Sequence, residues 1–233
     1  MVSEVPHRDI AAFDERAPGY EAGWRGRLHY EIADRTANLA LATAPSPQRI
    51  LDVGCGTGYL LRSLAERCPD AIALTGIDAA PSMIEVAEAA NAGTGIGTDT
   101  GAASGAGGAD ADRPGDPRIS FRLGVAEHLP FETGAFDLLV STTSFDHWAD
   151  QQAGLAECAR VLQPGGALVL VDQFSAWLAP TLLAGRRGKA RTKRRANRLL
   201  TTAGFEAPQW HDLYAVIIRA VTATTPARVT TSA

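Results

Sequence analysis

Apolar positions along this chain fall into two alternating rhythms. Short runs of strand length begin at Ile50 within Ile50–Leu60 (ILDVGCGTGYL) and recur at Ala71–Ile77, Ile119–Leu123, Phe136–Thr142 and Ala167–Val171. Ala71–Ile77 is close to continuous in apolar residues, as a central strand covered on both faces should be. Between the runs lie stretches with helical spacing. Tyr59–Arg67 follows the first strand, and Ser82-x-x-Glu85 forms a capping box that opens another helix. Asp150–Leu162 sets Leu155, Ala159 and Leu162 on one face, and Pro164, Gly165 and Gly166 stop it. Nearer the start, Leu28, Ile32 and Leu39 mark the apolar face of an N-terminal helix. Strand and helix alternate, which predicts an α/β fold.

The turn after the first strand carries chemistry. Gly54, Gly56 and Gly58 let the backbone bend tightly and approach a ligand where a Cβ would obstruct. The helix from Tyr59 points its first amides into the same crevice. A dinucleotide fingerprint would need a third glycine at 59, which is tyrosine. Asp52, two residues before Gly54, would repel a pyrophosphate but suits a ligand with a sulfonium and an ammonium. S-adenosylmethionine is such a ligand. Asp78 ends the second strand, twenty residues after Gly58, where an acid accepts hydrogen bonds from ribose hydroxyls.

With GVAEHLPF at Gly124–Phe131, GAFDLLVSTTSFDHW after it and AECARVLQPGGALVLVD further on, the chain resembles the class I S-adenosylmethionine-dependent methyltransferases, in the small-molecule group with a type 11 domain. The resemblance runs from Phe13 to Asp172 and more loosely to Ala223. It implies a Rossmann-like, doubly wound, seven-stranded, mostly parallel sheet in three α/β/α layers. Gly204–Tyr214 and Val216–Ala223 would supply the last two strands, one of them antiparallel. It also implies a cofactor site built from Tyr20, Asp52, Gly54, Cys55, Gly56, Gly58, Asp78, Ala79, Met83, Ala126, Glu127 and Ser141, with Met83 near the adenine. The chain departs from the family at Val125, where an acid commonly bonds the adenine amino group. Ala126 and Glu127 are expected to take over that recognition.

Composition bounds the rest. The 233 residues suffice for one α/β domain with a helical cover. The expected division is a lid over 1–45, a cofactor-binding core over 46–223 and a disordered tail over 224–233. No apolar run approaches the ~20 residues that span a bilayer. The start, MVSEVPHRDI, lacks an apolar signal core, so the expected location is cytoplasmic. Cys55, Cys68 and Cys158 show no metal spacing, and no metal is expected. Asn91–Pro117, about half glycine and alanine, reads as a mobile insertion. Eight cations and no acid fall between Arg186 and Arg198 in a chain of net charge −4, which leaves −12 elsewhere. Within an expected helical cover over 180–203, Arg187, Arg191, Arg194 or Arg195, and Arg198 would form one stripe. It is either a solvated face, a cover over an anionic small molecule, or a surface for RNA.

Methyl transfer from a sulfonium needs alignment, exclusion of water and, for a protonated nucleophile, a base. His147 follows the fourth strand and is the candidate base, with Asp146 second or as its orienting partner. His29 and His211 are weaker candidates. Phe13-Asp14-x-x-Ala17-x-x-Tyr20 resembles family starts that fold over the cofactor, so Tyr20 is expected at the methionine end or the acceptor. The expected function is methylation of O, N or C of a small-molecule acceptor. A non-methylating cyclase that keeps the cofactor and an RNA-modifying protein remain alternatives, and the chain is read as a monomer or homodimer.

Overall fold

In the computed structural model, residues 8–17, 20, 23–93, 115–174, 192–214 and 218–227 are described. Two helices, α1 (Arg8–Arg16) and α2 (Gly23–Thr43), precede an alternating series. It runs β1 (Arg49–Val53), α3 (Tyr59–Arg67), β2 (Ala73–Asp78), α4 (Pro81–Asn91), β3 (Ile119–Leu123), β4 (Phe136–Thr142), α5 (Gln151–Val161) and β5 (Leu162–Asp172). The chain closes with α6 (Lys193–Thr202), β6 (Glu206–Tyr214) and β7 (Ile218–Thr224). The seven strands form one sheet in the order β3-β2-β1-β4-β5-β7-β6. β7 runs antiparallel to both β5 and β6, and the other described pairings are parallel.

Strand parity sorts the core into two layers. Ile50, Leu138, Val140, Val169 and Val171 face α2 and α3. Leu51, Val53, Leu139, Leu168 and Leu170 face α5 and α6. Strands buried on both faces need apolar residues at consecutive positions, which is why the runs read as continuous. β1 and β4 pair side by side at the centre of the sheet, so the loops at their carboxyl ends flank one crevice.

Several local expectations change. The segment 1–45 divides, because Ile32, Ala33, Ala37 and Ala40 of α2 belong to the core, while α1 and Tyr20 lie over the crevice. Ser82 does not cap α4. Pro81 occupies the first turn and Ala80 is the N-cap, without a side-chain bond. The Ser82 N–H donates instead to Asp14 Oδ1 of α1, at 3.0 Å. α5 starts one residue later than expected, with Asp150 as its N-cap, accepting from the N–H groups of Gln152 and Ala153. Pro164–Gly166 do not separate helix from strand. They form a bulge inside β5, which begins at Leu162, and Gly165 takes φ 78° there.

Glu157 and Arg160 are more than a surface pair. Glu157 Oε2 accepts the Leu129 N–H at 2.9 Å, and Arg160 donates to the carbonyls of Phe131 (2.8 Å) and Leu129 (3.0 Å). Together they clamp α5 to the chain that follows β3. Of the basic cover expected over 180–203, residues 180–191 lie outside the described residues. The remainder is α6, whose Ala196 and Leu200 are buried against the sheet while Arg194, Arg195 and Arg198 are exposed. Most of the glycine-rich insertion (94–114) and of the tail (228–233) also lies outside them. The ends of the insertion are held together by the Asn91 side-chain amide, which donates to the Asp116 carbonyl at 3.3 Å.

Candidate active site

The three glycines all take left-handed φ, at 77°, 52° and 75°, yet they do different things. The Gly54 and Cys55 N–H groups both donate to the Ile77 carbonyl, stitching the loop to β2. A Cβ on Gly54 would lie 1.9 Å from Ser144 Oγ, so the chain after β4 rests on this glycine. A Cβ on Gly56 would meet nothing within 4 Å, which leaves bare backbone against open space. Gly58 is the N-cap of α3, where a Cβ would lie 2.6 Å from the Phe121 ring. It lines neither of the two cavities described below.

The larger cavity measures about 370 Å³ and opens at the carboxyl ends of β1, β2 and β4. Its floor carries Gly54, Gly56, Asp78, Ala79 and Met83, and one wall is Gly124–Glu127. Asp78 Oδ2 accepts the Gly56 N–H at 2.8 Å and Oδ1 accepts the Ala80 N–H at 2.9 Å. Burial raises its pKa, and these backbone bonds oppose the rise. Glu127 lines the wall, and its Oε1 accepts the Asp150 N–H at 2.9 Å, so it also holds the start of α5. Val125 stands 42% exposed on the same wall.

A smaller chamber of about 80 Å³ adjoins this cavity and shares Tyr20, Gly54, Gly56, Thr142 and Thr143 with it. Asp52 and Cys55 line it, as does His29 of α2. Asp52 is 2% exposed and its Oδ1 has no hydrogen-bond partner. Burial, reinforced by the charge of Asp78, pushes its pKa up to about 8. Burial also holds the Cys55 thiol well above its ordinary value, so this loop cysteine is not an activated thiol.

The opposite side is made of side chains. His147 lines the larger cavity from a short 3₁₀ turn, Phe145–His147. Its ring meets that of Phe13 edge-on, with centroids 4.9 Å apart. Tyr20 stacks at a tilt on His29, centroids 4.8 Å apart, and burial with the nearby Asp78 charge pushes its phenol up to about 12. Asp146 does not line either cavity. Its N–H donates to Oδ2 of the buried Asp172 at 2.9 Å, which fixes the turn to β5. Ser141 is likewise absent from both linings, because it shares the buried face of Leu139. His211 is paired with Thr222 on β6 and β7, away from the crevice. No residue of α6 lines a cavity, and no Lys or Arg stands among the described lining residues.

Ile10 joins the lining without a signal in the sequence, and Thr142, Thr143, Ser144 and Trp148 join it from the stretch that follows the fourth strand. Thr143 sits at φ 54°, a conformation costly for a β-branched residue and without a sequence signature. Trp148 backs onto Gly154 of α5, where a Cβ would lie 2.5 Å from its ring, and its Nε1 donates to Ser144 Oγ at 3.0 Å. A signal did exist for His29: it continues the stripe of Ala33, Ala37 and Ala40 that packs on the sheet.

Residues 51–170 match the model of a methyltransferase domain. The chain belongs to that family. It is 34% identical to the demethylmenaquinone methyltransferase of Thermus thermophilus over 163 residues, which is 69% of this chain and 63% of that one. The chain spans between half and two thirds of the length of the first such relatives. Among solved structures, human N-acetylserotonin methyltransferase in complex with S-adenosylmethionine shares the fold, with TM-score 0.65 and 18% identity over 95% of this chain and 60% of that one. The [4+2]-cyclase SpnF shares it too, with TM-score 0.63 and 21% identity over 84% and 81%.

S-adenosylmethionine is the cofactor of this family, and the residues present fit it. Asp52 Oδ1 is an orphaned buried oxygen of the kind an ammonium satisfies, and Gly56 leaves the space that a Cβ would fill. Among the described residues no helix is long and apolar enough to cross a membrane, and no cluster of three or more His, Cys, Asp or Glu could hold a metal ion.

Proposed function

We propose that this chain transfers the methyl group of S-adenosylmethionine to a small, largely apolar acceptor held beneath Phe13, with His147 taking the proton that the acceptor sheds. One observation carries the reading. A single cavity has Asp78 and the glycine loop on its floor and His147 with Phe13 facing them. Bound there, the cofactor supplies an electrophilic methyl open to in-line displacement.

The chain's own residues do the remaining work. Asp52, Asp78, Ala79, Met83, Ala126 and Glu127 hold the cofactor, with Gly54 and Gly56 giving it bare backbone. Cys55 and Gly58 shape the loop from behind. Tyr20 and Phe13 close over the site and exclude water. His147 receives the proton from an O–H, N–H or C–H acceptor as its bond to carbon forms, and Asp146 keeps the turn in place through Asp172. With Asp78 and Glu127 on the walls and no described Lys or Arg there, the cavity favours a neutral acceptor over an anionic one. Three free, buried cysteines support a reducing, cytoplasmic setting.

The test pairs turnover with binding. With candidate neutral acceptors, S-adenosylhomocysteine should accumulate one for one with methylated product. His147→Ala should lower turnover by ~10²-fold or more while leaving the affinity for S-adenosylhomocysteine nearly unchanged. A loss below threefold removes His147 from the role of base. Product formation without S-adenosylhomocysteine would favour the cyclase chemistry over methyl transfer.

A further inference from the structure

We propose that Asp52 reads the charge of the cofactor's amino-acid head and gives up its own proton when that head enters the smaller chamber. The inference rests on the cofactor assignment and goes beyond it in predicting a proton count. Asp52 sits just before the end of β1, 2% exposed, with Oδ1 lacking a partner. The ionisable groups around it come from every side of the chamber except the carboxyl end of β4, which offers Thr142 and Thr143. They are Asp78 on β2, Cys55 on the loop, Tyr59 on α3, His29 and Tyr30 on α2, and Tyr20. None is a Lys or Arg. Arg62 of α3, whose charge reaches Cys55, donates to the Thr57 carbonyl at 2.7 Å and is not part of the lining.

A carboxyl buried beside a second carboxylate, with no cation facing it, is held in its neutral form. Its pKa, raised to about 8 by burial first and Asp78 second, agrees. The head of S-adenosylhomocysteine carries an α-ammonium beside its own carboxylate, and it keeps its proton through neutral pH. On entry, a neutral acid and a free ammonium become a carboxylate–ammonium pair, and one proton leaves to solvent. The sign follows. Below pH 8 the empty chamber holds the proton, so each unit of acidity makes binding harder by nearly tenfold. Affinity should therefore rise ~tenfold from pH 6 to pH 7. Above pH 8 the empty chamber no longer holds the proton, and the gain fades.

The experiment is calorimetric titration of the full chain with S-adenosylhomocysteine at pH 6, 7 and 8, in buffers of different ionisation enthalpy. 5′-Methylthioadenosine, which has the nucleoside and thioether but no amino-acid head, serves as the second ligand. At pH 7 we expect release of close to one proton (~0.9) with S-adenosylhomocysteine and none with methylthioadenosine. Asp52→Asn should bind S-adenosylhomocysteine without releasing a proton and without the slope below pH 8. His29→Gln should leave the count unchanged. Binding by the wild type with no proton release and no pH slope overturns the inference, as does equal release with both ligands, which would place the proton elsewhere than the head. The wild-type counts decide the matter even if the Asn variant does not fold. No binding of S-adenosylhomocysteine at any pH would overturn the cofactor assignment, and the inference with it.

Discussion

The two sides of the cavity are built by different means. The floor is mostly backbone and acids: Gly54, Gly56, Asp52 and Asp78, contributed by two adjacent parallel strands within 27 residues of sequence. The roof is side chains from α1, from the link to α2 and from the turn after β4, more than a hundred residues apart. A backbone-built floor can be altered at only a few positions before it fails. A roof of packed rings can change shape by single substitutions and keep the same floor. The fold thus holds one half of the chemistry constant and leaves the other half free to vary.

Gly54 joins the two sides, and its replacement should produce the largest effect. In Gly54→Ala the new Cβ meets Ser144 at 1.9 Å on top of a φ of 77°. Affinity for S-adenosylhomocysteine should fall ~100-fold or more, from overpacking and left-handed strain combined. Gly56→Ala meets no protein atom and should lose less folding stability than Gly54→Ala, about the ~1–2 kcal/mol of the left-handed backbone. Equal losses of folding stability by calorimetry would mean that the roof does not rest on the floor at this point. Next in size is Glu157→Ala, which strips the Leu129 N–H and the Arg160 guanidinium of their acceptor. Urea unfolding should show a loss of ~1–3 kcal/mol, with cofactor affinity within threefold of the wild type. A large loss of affinity would make this clamp part of the floor. Smallest is Asp14→Ala, which removes the acceptor that α1 offers to α4. A lost helix cap of ~1 kcal/mol should weaken S-adenosylhomocysteine binding ~fivefold if the roof and the floor close together. An unchanged affinity would separate them.

How much could be read from the sequence follows the same division. The glycine loop and Asp78 were legible because backbone conformations leave glycines behind, and because strand ends are marked by acids after apolar runs. The strand cores were legible because burial on both faces demands apolar residues at successive positions, as in Leu138, Leu139 and Val140. The roof was legible only as segments. Phe13 and Tyr20 line the cavity, as do His147 and Trp148, whereas Ser141 shares the side of β4 with Leu139 and Thr142 is the strand residue that reaches the cavity. Ser82 looked like a cap by spacing, yet Pro81 beside it fits the first helical position better and moved the boundary. The Glu157–Arg160 pair has the spacing of any surface pair; that its oxygens and nitrogens reach Leu129 and Phe131 depends on a tertiary contact that no local pattern records.

Gly154 has a consequence for anyone seeking to reshape the cavity for other ligands. It lies inside a helix, where glycine costs ~1 kcal/mol against alanine, and it never touches the cavity. It nevertheless sets how far Trp148 can recede, and the indole passes any displacement through its N–H to Ser144 and so to Gly54. The width of the site is governed from behind its wall. A mutagenesis library drawn only from residues that face the ligand would leave out the position with the longest lever.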